Sequence, residues 1–231
     1  MFRNHYGTVI GFKKNINQDS HEIYESSKYL ISIVTDGLGS AKHSNIGSFQ
    51  ATKAVRKAIT QWRSLKENNS SVLLQLIHFY WNLFINDLSL EKKDCSTTCL
   101  FIYIDKENSK AVIAQLGDGM IYFKSDNYIY LTQASEDFNY TKSLGSSKSV
   151  NDWTIKSIKL DINNFKFFIA TDGISDDIVQ NREEEFIDYL IRTMDKLKRN
   201  NCNRYLQETL NDWPTKFHTD DKTICITWSE K

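Results

Sequence analysis

The sequence predicts an α+β fold built in layers, with two antiparallel sheets and helices on their outer faces. Two observations carry this expectation. Apolar, β-branched runs come in pairs joined by short polar turns, as hairpins do, and pairs of amphipathic helices are set between those strand groups. A third observation bears on extent: in 231 residues, 40% hydrophobic and 13% aromatic, neither a tandem repeat nor an interdomain linker is visible. Residues 1–231 are therefore expected to form one domain with a sizeable core. Lys plus Arg and Asp plus Glu both number 29, so no overall field favours nucleic acid or an anionic membrane surface. No run approaches the roughly 20 apolar residues that cross a bilayer. A cytoplasmic protein, monomeric and without a nucleic-acid or membrane partner, is expected. Cys95, Cys99, Cys202 and Cys225 form no C-x-x-C pair and read as reduced structural thiols.

In chain order, a strand is predicted from Tyr6 to Phe12. The polar segment Lys13-Lys14-Asn15-Ile16-Asn17-Gln18-Asp19-Ser20 follows; its cations and carboxylate suit a phosphate beside a metal, although a plain polar connection looks the same. A second strand around Glu22 to Tyr24 leads to a third, Tyr29 to Val34. The first helix buries a stripe of Ala51, Val55, Ala58, Ile59, Trp62 and Leu65, and the second one of Leu73, Leu74, Ile77, Trp81, Phe84 and Leu88, at helical spacing. His78 reads as a packing or surface residue of that helix. Strands Thr97 to Ile104 and Ala111 to Leu116 form a hairpin, and Ile121 to Phe123 with Tyr128 to Leu131 form another. From Thr132 to Asp152 the chain is polar and aperiodic, and reads equally as a substrate-facing flap or a disordered connection. Strands Thr154 to Leu160 and Phe165 to Thr171 follow. Next come a helix with Phe186, Ile187, Leu190, Met194 and Leu197 on one face, and a shorter one carrying Tyr205, Leu206, Leu210 and Trp213, stopped by Pro214. Thr219-Asp220-Asp221-Lys222-Thr223 opens a closing strand to Trp228.

Within this frame, Val34-Thr35-Asp36-Gly37-Leu38-Gly39 is echoed by Ala170-Thr171-Asp172-Gly173-Ile174-Ser175. Each follows a strand, and a strand ending in Asp-Gly delivers a carboxylate to the rim of a sheet where glycine permits a sharp turn. Either copy alone reads as an ordinary turn. The pair, with the same Thr before each Asp, reads as two strand ends meeting over a metal. Leu116-Gly117-Asp118-Gly119 places a third carboxylate at a strand end.

Lys14-x-x-Asn17-Gln18-Asp19, Thr35-Asp36-Gly37-x-Gly39, Thr97-Thr98, Gly117-Asp118-Gly119, Thr171-Asp172-Gly173-Ile174-Ser175-Asp176 and Asp220-Asp221-Lys222-Thr223 stand in the order and spacing of a known family. From about Gly7 to Trp228 the chain resembles the metal-dependent serine/threonine protein phosphatases, the type 2C family. The loop from Asp36 to Ser44 is similar to that of a bacterial branch. The resemblance implies a four-layer α-β-β-α sandwich with a two-metal site at one end of the sheets. By position, Asp36 bridges two ions, the Gly37 carbonyl binds one, Asp172 and Asp220 bind the other, and Asp118 helps hold a third. Asp19 is implied as an acceptor for water of the metal site, and Lys14 as the phosphate-binding cation. An all-oxygen donor set of this kind suits Mg²⁺ or Mn²⁺. Asp36, Asp172 and Asp220 thus carry catalysis without a nucleophilic side chain.

Three positions depart from the family pattern. Lys14 stands where Arg is usual, replacing a two-pronged donor by a point charge. Gln18 stands where Glu is frequent, removing a negative charge. Leu38 stands where many members carry a proton-donating His, and the nearby His43 reads as a loop histidine. The implied activity is hydrolysis of phosphoserine or phosphothreonine in proteins, with a kinase as a possible counterpart. Two other readings stand beside it: a weak or inactive relative that binds a phosphorylated partner, and a phosphoesterase acting on a small molecule.

Overall fold

The structure is a computed structural model that describes residues 2–65, 69–126, 128–132, 141–214 and 219–229. Among the described residues ten strands, β1 (Phe2–Val9), β2 (Asp19–Glu25), β3 (Tyr29–Asp36), β4 (Cys99–Asp105), β5 (Lys110–Leu116), β6 (Met120–Ser125), β7 (Tyr128–Leu131), β8 (Thr154–Lys159), β9 (Phe165–Ala170) and β10 (Lys222–Ser229), form two five-stranded sheets. One has the order β2-β3-β4-β5-β8 and the other β1-β10-β9-β6-β7, with every pairing antiparallel. The helices are α1 (Ser44–Trp62), α2 (Ser70–Asp87), α3 (Asp172–Ser175), α4 (Glu183–Asp195) and α5 (Arg199–Asn211).

Side-chain alternation along the strands decides the layering, because successive residues of a strand face opposite sides of its sheet. In β3, Leu30 and Val34 point inward and meet Ile121, Phe123, Phe167 and Ile169 of the other sheet. Ile31 and Ile33 point outward into a second core with Ala51, Val55, Ile59 and Trp81 of α1 and α2. On the opposite side Tyr122, Phe168, Ile224 and Ile226 pack against Ile187, Leu190, Leu206 and Leu210 of α4 and α5. Strands covered on both faces read as continuous apolar runs, which is why β3, β4 and β9 were recognisable. The expected α-β-β-α sandwich is the observed one.

Several element limits differ from expectation. The first strand is Phe2–Val9 rather than Tyr6 to Phe12, pairing with β10 from Phe2 opposite Ser229 to Val9 opposite Lys222. Its polar residues have partners on the helices: Arg3 donates to the Met194 carbonyl at 3.2 Å, and the His5 ring lies 2.9 Å from Asn203 Oδ1. Phe12 stays 61% exposed in the following loop. Leu65 and Leu88 lie beyond the ends of α1 and α2, and both are exposed, whereas Ile85 completes the buried face of α2. Leu197 and Trp213 pack partly buried just past the ends of α4 and α5. His78 is a packing residue, accepting a hydrogen bond from Trp153 Nε1 at 2.9 Å. The flap expected at Thr132 to Asp152 falls partly on residues 133–140, which lie outside the described residues. Among the described residues no helix is long and apolar enough to cross a membrane.

Candidate metal centre

The ends of strands from both sheets converge at one end of the sandwich. Asp36 closes β3, opposite Asp19 at the start of β2. Its backbone is pinned from β4's side: Asp36 N–H donates to Thr98 Oγ1 at 2.9 Å, while its carbonyl accepts from Thr97 Oγ1 and Thr98 N–H, each at 2.8 Å. The Thr97-Thr98 pair therefore aims this strand end. Gly37 follows with its N–H on the Gln18 carbonyl at 3.1 Å. A Cβ there would sit 2.7 Å from the Ser44 carbonyl and 2.8 Å from that of Gln18, so no larger residue fits.

Asp118 occupies the turn where the chain crosses from β5 in one sheet to β6 in the other. Flanking Gly117 and Gly119 have φ of 89° and 95°, a region open to glycine at little cost, and Thr141 Oγ1 donates to Asp118 Oδ2 at 2.8 Å. Asp172 begins the short helix α3 directly after β9. Asp36, Asp118 and Asp172 each bring a carboxylate oxygen within 4.8 Å of the others. Asp19 stands behind them, 8% exposed. Thr171 Oγ1 donates to Asp19 Oδ2 at 3.0 Å and accepts from Thr223 N–H at 3.0 Å, tying the two sheets together. Asp19 Oδ1 is buried with no partner among the described residues.

The remaining predicted residues lie at the margin. Asp220 is outside the close triad; its side chain is 48% exposed, and it pairs with Lys14 Nζ at 3.5 Å. Lys14 is thus beside the site, with Asp221 Oδ2 at 3.2 Å as a second partner. The Gln18 amide is turned to Ser44 Oγ at the start of α1 rather than towards the carboxylates. His43 precedes α1 without a side-chain capping bond.

The electrostatics follow from the crowding. Burial first, and then the Asp19 and Asp172 charges, push the Asp36 carboxyl well above the usual range. Burial and the neighbouring acids Asp118 and Asp220 raise Asp172 to about 6, and burial raises Asp19 to about 7. Such mutual repulsion among oxygen donors is what a divalent cation relieves. The donor set, carboxylates without sulfur or imidazole, together with the partnerless Asp19 oxygen, fits Mg²⁺ or Mn²⁺. The site does not coincide with the cavity of about 1050 Å³ between α4 and strands β6, β9 and β10, which Lys124, Lys166, Asp188 and Trp228 line.

Sequence reasoning missed the work of Thr171, Thr141 and Asp221. The repeated Thr before each Asp-Gly was the available signal for Thr171, but the contact it makes spans 152 positions. Nothing in the sequence marks Thr141.

Paired sheets between helix layers, with oxygen donors gathered where strands of both sheets end, are the build of a metal-dependent phosphatase. Residues 12–213 match the family described as Protein phosphatase 2C, and the chain belongs to that family. Solved structures share the fold. The S. agalactiae serine/threonine phosphatase is 17% identical, with a TM-score of 0.68 over 100% of both chains. RsbX in complex with magnesium is 16% identical, with a TM-score of 0.65 over 99% of this chain and 96% of that one. The catalytic domain of the serine threonine protein phosphatase PstP with 2 manganese ions is 15% identical, with a TM-score of 0.66 over 98% and 97%. Among curated protein sequences none matches the chain.

Proposed function

We propose that the chain is a Mg²⁺- or Mn²⁺-dependent phosphatase that hydrolyses phosphoserine and phosphothreonine in proteins. The observation that carries this reading is the convergence of Asp36, Asp118 and Asp172 within 4.8 Å at the joined ends of two sheets, in a chain of the 2C family. RsbX with magnesium and PstP with 2 manganese ions lend support to the cofactor.

Asp36, Asp172, Asp220 and the Gly37 carbonyl would hold two ions, with Asp118 available to a third. When bound, the ions supply Lewis acidity at the phosphoryl group and an activated water. Asp19, whose Oδ2 is already occupied by Thr171, offers its other oxygen as a hydrogen-bond acceptor inside the site. Lys14 receives the phosphate as a point charge at the margin. No side-chain nucleophile is needed, and Cys95, Cys99, Cys202 and Cys225 are all buried. One domain, a cytoplasmic and monomeric state, and a kinase acting on the same protein substrates complete the proposal.

The test is hydrolysis of p-nitrophenyl phosphate and of a phosphothreonine peptide, each with and without Mn²⁺ or Mg²⁺. Turnover should require the metal and vanish with EDTA. A metal-loaded protein that binds the phosphopeptide but turns over neither substrate would replace the enzyme by a phosphate-binding relative. The turn of Gln18 towards Ser44 is the feature that favours this second reading.

A further inference from the structure

The loop of residues 11–18, which carries Lys14, is held by one carboxylate. Asp221 Oδ1 accepts from Gly11 N–H at 2.7 Å, while Oδ2 accepts from Gln18 N–H at 2.9 Å and from Lys14 Nζ at 3.2 Å. Both ends of the loop and the cation between them thus converge on a side chain that is 1% exposed. The loop also lies flat on the segment that leads into β10. A Cβ on Gly11 would fall 2.0 Å from the Thr219 carbonyl oxygen and 2.8 Å from the Asp220 carbonyl carbon. Lys13 takes φ of 65°, and Lys14 N–H donates to the Gly11 carbonyl at 3.1 Å, which closes the turn.

An ammonium group has three donors. Asp220 and Asp221 lie on two sides of this one, at 3.5 and 3.2 Å, which leaves a donor for an incoming phosphate oxygen. A flexible lysine stem would otherwise sample many rotamers, and fixing it before substrate arrives lowers the entropic cost of binding. A buried aspartate that accepts backbone N–H groups can also be a simple loop clamp. The salt bridge to the side chain of Lys14 is what separates the two roles here.

We propose that Asp221 is a positioning residue for the substrate phosphate: it fixes the 11–18 loop and holds the Lys14 ammonium at the edge of the metal centre without itself touching substrate. This rests on the proposed function and deepens it, assigning to the second acid of the Asp220-Asp221 pair a role in substrate affinity. The Asp221→Asn amide keeps the shape and one acceptor oxygen. Its NH₂ must then face either the Gly11 N–H or the Gln18 N–H and the ammonium, donor against donor, and in both orientations the negative charge that holds Lys14 is lost, while Asp36, Asp118, Asp172 and Asp220 keep their carboxylates.

The experiment measures KM and kcat for a phosphothreonine peptide at saturating Mn²⁺ in wild type, Asp221→Asn, Lys14→Ala and the double variant. Asp221→Asn should raise KM about tenfold while kcat stays within about twofold, the pattern of lost ground-state binding. Lys14→Ala should do the same, and the double variant should be no worse than Lys14→Ala alone, because both substitutions remove one contact. An unchanged KM, a fall confined to kcat, or single effects that multiply in the double variant would each overturn the assignment. Asp221→Glu keeps the charge but displaces it by a methylene, and should also raise KM; it carries the test if Asp221→Asn does not fold. Failure of both to fold would make Asp221 a residue of the fold and end the proposal. Absence of turnover in metal-loaded wild type refutes the proposed function instead. The same four proteins are then compared by phosphopeptide dissociation constant, with the same pattern expected and the same outcomes overturning it.

Discussion

Asp36 and Asp172 are residues whose function opposes their stability. Each is a buried or half-buried carboxyl pushed upward by burial and by other acids, so in metal-free protein each ionised copy strains the fold. Asp36→Asn and Asp172→Asn should abolish turnover yet leave the metal-free melting temperature equal or higher; a large fall in both would make them structural turn residues. The sign with pH follows. A carboxyl raised in the folded state gives its full stability below its unfolded value of about 4, and loses it as pH rises through about 6 for Asp172 and about 7 for Asp19. Melts in EDTA should therefore show wild type losing stability between pH 4.5 and 7.5, and Asp172→Asn losing less. Equal slopes for the two proteins would contradict the assignment of strain to Asp172.

At the scale of elements, α1 is seated so tightly that one methyl group should be felt at the site. A Cβ on Gly47 would fall 1.8 Å from the Cys95 carbonyl oxygen, and the Gly47 carbonyl accepts from Trp81 Nε1 at 3.1 Å. Cys95 leads directly into Thr97 and Thr98, which hold the Asp36 backbone. Gly47→Ala should cost about 1–3 kcal/mol, as overpacking does, and should also raise the Mn²⁺ concentration giving half-maximal activity; loss of stability without that second effect would uncouple α1 from the site. This linkage also shows where sequence reading reaches its limit. The strands β3, β4 and β9 were legible because burial on both faces writes an unbroken apolar run, and Asp36, Asp118 and Asp172 were legible because glycine turns follow strand ends. Phe2 to His5 was not, because Arg3 and His5 are accommodated by partners on α4, α5 and β10, nearly the length of the chain away. Asp221 was visible as a motif letter, but its grip on Gly11, Lys14 and Gln18 depends on folding that no local pattern encodes.

For the whole molecule, the metal centre is a seam between layers: Asp19 and Asp36 belong to one sheet, Asp172 and Asp220 flank β9 and β10 of the other, and Asp118 lies on the crossing between them. Ions bound there join the sheets. At a hundredfold excess over the dissociation constant, mass action adds about 2.7 kcal/mol, which for a chain of this size is a rise of roughly 5–11 °C in melting temperature. Calorimetry with and without Mn²⁺ should show the rise in wild type and little of it in Asp36→Asn; an equal rise in both would place the stabilising ion elsewhere. The pairing of β10 has a consequence in time as well. It lies between β1 and β9, so the earliest strand of the described chain waits beside a vacant edge until the latest one is made. Pairings this distant in sequence close late, because the intervening loop entropy must be met first. On the ribosome, the sheet that contains β1 cannot be completed, nor Asp220 delivered, before β10 has emerged. The nascent chain therefore stays without its metal centre until β10 has emerged, and acquires it only after the other described strands of both sheets have been made.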